Sequence, residues 1–136
     1  MLKRFTISME ETLLEDFDQF IDKRGYRNRS EAVRDLIRGS FVKDEWAGDK
    51  EVMGVITLVY DHHQHQLQEK VTELQHDFHN QIVSTTHVHM DHHNCLEVII
   101  IRGIGTDVQR LADALIALRG VRNGNLSMTS TGEHLH

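Results

Sequence analysis

The chain is predicted to be an α+β protein in two parts, a short N-terminal β-α-α unit and a C-terminal β-α-β-β-α-β unit. Three observations predict it. Residues 4–9 alternate apolar and polar, and two amphipathic helical stretches follow them. From residue 52 four β-rich runs alternate with two stretches of helical period, in split order. The two ends also differ in chemistry. Lys23 to Arg38 holds six Lys/Arg against Glu31 and Asp35, whereas all eleven histidines follow residue 61.

The N-terminal elements come first. Phe5, Ile7 and Met9 share one face of a short strand, and Arg4, Thr6 and Ser8 share the other. Glu10 to Arg24 then reads as a helix, with Leu13, Leu14, Phe17, Phe20 and Ile21 on one face and acids in the first turn. Gly25 is its expected stop. Asn28-Arg29-Ser30 reads as a turn with Ser30 as N-cap of a second helix, Glu31 to about Trp46. One strand and two helices cannot bury their own apolar faces, and a lone strand needs a partner. An intertwined dimer with a two-stranded ribbon solves both problems. Arg4, Thr6 and Ser8 are then either the solvated face of that ribbon or a surface that touches a ligand.

The run Gly25-Tyr26-Arg27-Asn28-Arg29-Ser30-Glu31-Ala32, set between the two helices, resembles the ribbon-helix-helix family of DNA-binding regulators. The resemblance implies a ribbon in the major groove, with Arg4, Thr6 and Ser8 facing base edges. It also implies a phosphate held at Asn28, Arg29 and Ser30, where the second helix begins. The local excess of four positive charges between Lys23 and Arg38 agrees with this.

Ala47-Gly48-Asp49-Lys50 breaks the periodicity. The expected division is therefore residues 1–47, a linker at 48–51, and a second domain at 52–136. In the second domain Val52 to Tyr60 is β-rich. From His62 to Asn80 the period is helical, with Leu67, Val71, Leu74 and Phe78 on one stripe. Gln81 to Met90 and Cys95 to Arg102 read as strands. Gly105 to Leu118 reads as a helix. After Gly120 and an Asn123-Gly124 turn, Leu126 to Thr129 reads as the last strand. The order is ferredoxin-like (ACT-type), with one open sheet face that usually meets another copy.

The densest chemistry lies in Thr86-His87-Val88-His89-Met90-Asp91-His92-His93-Asn94-Cys95-Leu96-Glu97. His87 and His89 are two apart on a strand, so their side chains leave the same face. The polar run 91–94 turns the chain, and Cys95 returns beside them. Two imidazoles and a thiolate suit a late first-row divalent metal. Glu97 shares the strand face of Cys95 and is either a hydrogen-bond acceptor for a ligating imidazole or a plain surface carboxylate. His76 lies off the apolar stripe of its helix, so it is expected on the surface.

Together with the N-terminal unit, this cluster resembles the nickel-responsive regulators, which join the same two domains in the same order. The resemblance covers the whole chain. It implies one Ni(II) per subunit held by His87, His89, Cys95 and the partner subunit's His76. It implies a homotetramer, a dimer of dimers, on a palindromic operator, and nickel-dependent repression of nickel-uptake genes. It further implies a second, weaker cation between domains, with carboxylate help from Glu31 and Asp35. Those two acids also read simply as offsets for nearby Arg34 and Arg38. The start of the helix after the first strand, Asp61-His62-His63-Gln64-His65, lacks the Lys/Arg pair of some relatives. Asn123-Gly124-Asn125 stands where some relatives carry histidines.

Composition excludes several classes. A net charge of −6 with neutral histidines excludes a uniformly basic nucleic-acid binder. No apolar run is long enough to span a bilayer, and no signal-peptide pattern is present. A single cysteine leaves no intrachain disulfide and fits a reducing cytoplasm. Zinc, copper and cobalt accept the same donors, so a sensor of another metal is an open alternative. A metalloenzyme would leave the fourth position to water, yet no second acid–base constellation accompanies the site. His62, His63, His65, His79, His92 and His93 are candidates for one weaker outer metal site at most.

Overall fold

The computed structural model describes residues 1–136, apart from the side chain of His65. The chain divides into two units, Met1–Gly39 and Ser40–His136. Its elements in order are α1 (Glu11–Arg24), α2 (Arg29–Ala47), β1 (Glu51–Asp61), α3 (His65–Asp77), β2 (Ile82–His89), β3 (Asn94–Ile104), α4 (Gly105–Ile116) and β4 (Val121–Ser130). Helix α2 runs across the division.

In the first unit residues 1–10 form no strand. This departs from the strand expected over 4–9, and the reason is physical. A strand exists by its ladder, and nothing else in this unit is a strand that could pair with it. Helix α1 ends where expected, with Gly25 at φ 75° as its C-cap. The cap of α2 is displaced from expectation. Arg29 is already helical, and the Asn28 side-chain oxygen accepts the Glu31 N–H at 2.9 Å. Asn28, not Ser30, is therefore the N-cap. Of the apolar residues within Met1–Gly39, only Ile21 and Ala32 are buried. Phe5, Ile7, Leu13, Leu36 and Ile37 are all at least 45% exposed. So large an apolar surface marks an association face.

The second unit is an antiparallel four-stranded sheet in the order β2-β3-β1-β4. Burial alternates along β1 and β3. Val52, Ile56, Leu58 and Tyr60 of β1 and Cys95, Ile99 and Ile101 of β3 face the core, where Leu67, Val71, Val108, Leu111, Ala112 and Leu115 of α3 and α4 cover them. Trp46, at the end of α2, joins this core and donates its indole N–H to the Thr129 carbonyl at 3.1 Å. The opposite sheet face carries Val55, Val59, Leu96, Val98 and Ile100, all only partly buried.

Two boundaries differ from expectation. Helix α3 starts at His65, because Asp61 still pairs with Asn94 as the last step of the β1–β3 ladder. Strand β4 begins at Val121 and runs straight through Asn123-Gly124, which pair with Val59 and Leu58. Turn chemistry yields here to packing: a Cβ on Gly124 would stand 2.5 Å from Ile116 Cγ1 of α4. Glycine at this position lets helix and strand touch. Among the described residues no helix is long and apolar enough to cross a membrane.

Candidate metal centre

The site grows from the β2–β3 hairpin. Strand β2 is the sheet edge, and its residues from Val83 to His89 are exposed. The register sets His89 directly across from Cys95 and His87 across from Glu97. Cross-strand partners share a face, so all four side chains leave the same side of the sheet. The His87 and His89 rings lie 5.2 Å apart at 29°.

The turn that sets this register is built by one residue. Asp91 accepts the N–H groups of His93 at 2.9 Å and Asn94 at 2.7 Å. These backbone bonds hold its carboxyl down at about 2. Met90 N–H closes the turn on the Asn94 carbonyl at 3.0 Å.

Cys95 is fully buried and its thiol points to the Tyr60 carbonyl oxygen at 3.4 Å. Burial raises its pKa above the ordinary thiol value. A metal there must displace the thiol proton, as a cation beside a thiol does. Glu97 is not a surface carboxylate: it is 7% exposed and accepts the Tyr60 hydroxyl at 3.3 Å. Burial first, then the Glu97 charge, pushes the Tyr60 phenol far up. Tyr60 also packs its ring edge-on to His87. Tyr60 thus joins Glu97, Cys95 and His87 from β1. No sequence pattern marked it, because only the strand register brings it there.

His76 is exposed on the last turn of α3, off the buried stripe, as expected. Its ring lies over that of His79, 5.6 Å away. The neighbouring Gln75 accepts the Thr85 hydroxyl at 3.2 Å, so this end of α3 lies beside the edge strand. Three metal-donor atoms come within 4.8 Å of one another at a different place among the described residues: Asp61, His63 and His93. Between the two donor sets lies His62, its ring 4.9 Å from that of His89 and 4.2 Å from that of His63. Its Nδ1 is shut from solvent without a partner, and burial lowers its pKa.

Residues 53–129 match the model of the NikR C terminal nickel binding domain, and residues 3–39 match the ribbon-helix-helix protein, copG family. The chain belongs to the nickel-responsive regulator family. A "Putative nickel-responsive regulator" of Desulfotalea psychrophila is 67% identical over 136 residues, covering all of both chains. One of Geotalea uraniireducens is 57% identical over 134 residues, covering 98% of this chain and 96% of its own. An uncharacterized protein from Thermotoga maritima aligns in structure with a TM-score of 0.52 at 16% identity. That match covers 57% of this chain and 96% of the other, and speaks for the fold alone.

The family is one of transcription regulators, which removes the metalloenzyme alternative. Its nickel-binding domain spans His76, His87, His89 and Cys95 of this regulator. Its ribbon-helix-helix domain spans Arg4, Thr6, Ser8, Asn28, Arg29, Ser30, Glu31 and Asp35. Arg4, Thr6 and Ser8 are exposed. Arg29 is engaged: both its Nε and a terminal nitrogen bond the Asp18 carboxylate at 2.9 Å. Glu31 and Asp35 have local partners as well. Glu31 pairs with Arg27 at 3.2 Å, and Asp35 accepts the Tyr26 hydroxyl.

Proposed function

We propose that this chain is a cytoplasmic, nickel-dependent repressor of nickel-uptake genes, working as a homotetramer. One observation carries the reading: His87 and His89 on the exposed edge strand share one sheet face with Cys95 of β3, in a chain that also holds a ribbon-helix-helix unit. Two imidazoles and a buried thiol make a soft, incomplete donor set. The partner subunit's His76 would complete it as His3Cys with one Ni(II) per subunit. Glu97 and Tyr60 would hold the His87 side of the site in place. The metal supplies charge and bonds that fasten two regulatory domains together.

The division of labour follows from the two units. Residues 1–47 would form the DNA-binding dimer, residues 48–51 the linker, and residues 52–136 the regulatory core. The exposed apolar residues of the first unit call for one partner, and the open sheet face for another, which supports a dimer of dimers. Arg4, Thr6 and Ser8 would read bases in the two half-sites of a palindromic operator. Asn28, Arg29 and Ser30 would meet phosphate, with Arg29 exchanging Asp18 for it. A weaker cation at Glu31 and Asp35 has to displace the Arg27 and Tyr26 contacts.

Because the metal bridges subunits, metal and DNA affinities are linked, with a coupling of about 1–3 kcal/mol. The test is selection from a random DNA pool at fixed salt, with and without nickel, for the wild type and Cys95→Ala. A palindrome enriched only by the wild type with nickel is expected. Copper(II), cobalt(II) and zinc(II) serve as comparisons. Equal enrichment without metal would overturn the reading, and so would enrichment by zinc with none by nickel.

A further inference from the structure

Asp61, His63 and His93 come together beside His62, and none of the three is needed for the site above. One donor atom from each lies within 4.8 Å of the other two. Their backbones are fixed from three directions. Asp61 is held by the last step of the β1–β3 ladder. His62 N–H donates to the His93 carbonyl at 3.1 Å, which ties the two turns together. The sequence repeats itself at these turns: Asp61-His62-His63 and Asp91-His92-His93. In each, the aspartate accepts the N–H of the second histidine at 2.9 Å.

The spacing suits a metal. His63 Nδ1 lies 3.2 Å from Asp61 Oδ1. Two ligands bound to one cation at roughly 2.0–2.2 Å stand about 3 Å apart, so this pair needs little movement to share an ion. The His63 and His93 rings are 5.5 Å apart at 65°, so each can turn a nitrogen inward. Asp61 is partly buried while both histidines are exposed, which leaves the remaining positions to water. Two imidazoles select against calcium and magnesium, which take oxygen ligands.

We infer that Asp61, His63 and His93 form a second divalent-metal site, complete within one chain and open to water, for a borderline late first-row cation such as nickel or zinc. It lacks a thiolate and a partner-subunit ligand, so it fills after the hairpin site. It also gives each subunit a capacity for two imidazole-bound metal ions, apart from the weaker cation proposed at Glu31 and Asp35. The inference does not depend on what the hairpin site binds.

The experiment is equilibrium dialysis of the full chain against nickel(II), with the thiolate-to-metal charge-transfer band followed in parallel. In the wild type the band saturates first, and a second equivalent then binds without changing it. His63→Ala and His93→Ala each lose the second equivalent and keep the band. Cys95→Ala loses the band but keeps the His63-dependent equivalent, and zinc(II) dialysis gives the same count. Asp61→Asn, which retains the oxygen that accepts the His63 N–H, weakens the second equivalent without shifting the melting temperature. The site is refuted if the wild type stops at one metal per chain, or if the second equivalent survives in a His63→Ala/His93→Ala double variant. Failure of the band alone would count against the hairpin site and leave this result standing.

Discussion

Gly105 sits where the β3–α4 junction passes so close to the end of α2 that no side chain fits. A Cβ there would stand 2.4 Å from the Trp46 carbonyl oxygen and 2.8 Å from its Cα. Both are backbone atoms, so no rotamer change relieves the clash. Trp46 cannot retreat without losing its bond to the Thr129 carbonyl. Gly105→Ala is therefore expected to lower the unfolding free energy by about 1–3 kcal/mol, the usual range for overpacking. Denaturant unfolding would read it as a lower midpoint at unchanged slope. An unchanged midpoint would show that the junction has slack. The same economy of space governs the buried polar group on β1 and β3. Tyr60, Cys95 and Glu97 satisfy one another and the backbone in a site that disfavours a free thiolate. A divalent cation reverses that preference, because its own charge is the largest in the site.

At the scale of elements, the N-terminus of α2 does two jobs. Asn28 caps the helix through the Glu31 N–H, and Asp18 of α1 clamps Arg29 on the first turn. Asn28→Ala should cost about 1 kcal/mol, the typical worth of an N-cap, and thermal melting checks it. If Ser30 could take over as cap, the melting temperature would not move. The clamp gives a pH signature. Hydrogen bonds from Arg29 hold the Asp18 carboxyl below its ordinary value of 3.8. A depressed carboxylate stabilises the fold above its unfolded value and stops doing so as pH falls through its folded value. Wild type and Asp18→Asn should then differ in melting temperature above about pH 4 and converge in stronger acid. A gap that does not shrink as the pH is lowered from about 4 would refute the clamp. These elements also show what was legible in the sequence. The β-α-β-β-α-β order could be read because four β-rich runs are separated by two stretches that each keep one apolar stripe. The cap was misplaced by two residues because Asn28 and Ser30 are equally good caps, and only backbone geometry chooses between them. Asn123-Gly124 reads locally as a turn, but packing against Ile116 makes it strand. His87, His89 and Cys95 were legible because a two-residue spacing and a short turn suffice to align them. Asp61 and Tyr60 were not, because their neighbours come from the β1–β3 register, which no local pattern encodes.

For the whole molecule, the proposed site makes assembly and sensing one event. Three ligands sit on one face of the hairpin, and His76 sits exposed at the end of a helix, with its ring on His79. If the fourth ligand comes from another chain, two broken chains can repair each other. A His76→Ala chain keeps His87, His89 and Cys95, while a Cys95→Ala chain keeps His76. Each homo-oligomer should fail to hold nickel against a competing chelator. When the two are unfolded together and refolded, a mixed pair has one intact site and one doubly broken site. Random re-pairing gives mixed pairs half the time, so about a quarter of all sites should regain the thiolate charge-transfer band. A double variant carrying both lesions, mixed with either single variant, should regain none. Recovery near a quarter would establish that the ligands are shared between chains. No recovery, with both variants folded and assembled, would mean that a single chain closes its own site, and the link between metal and subunit contact would be lost.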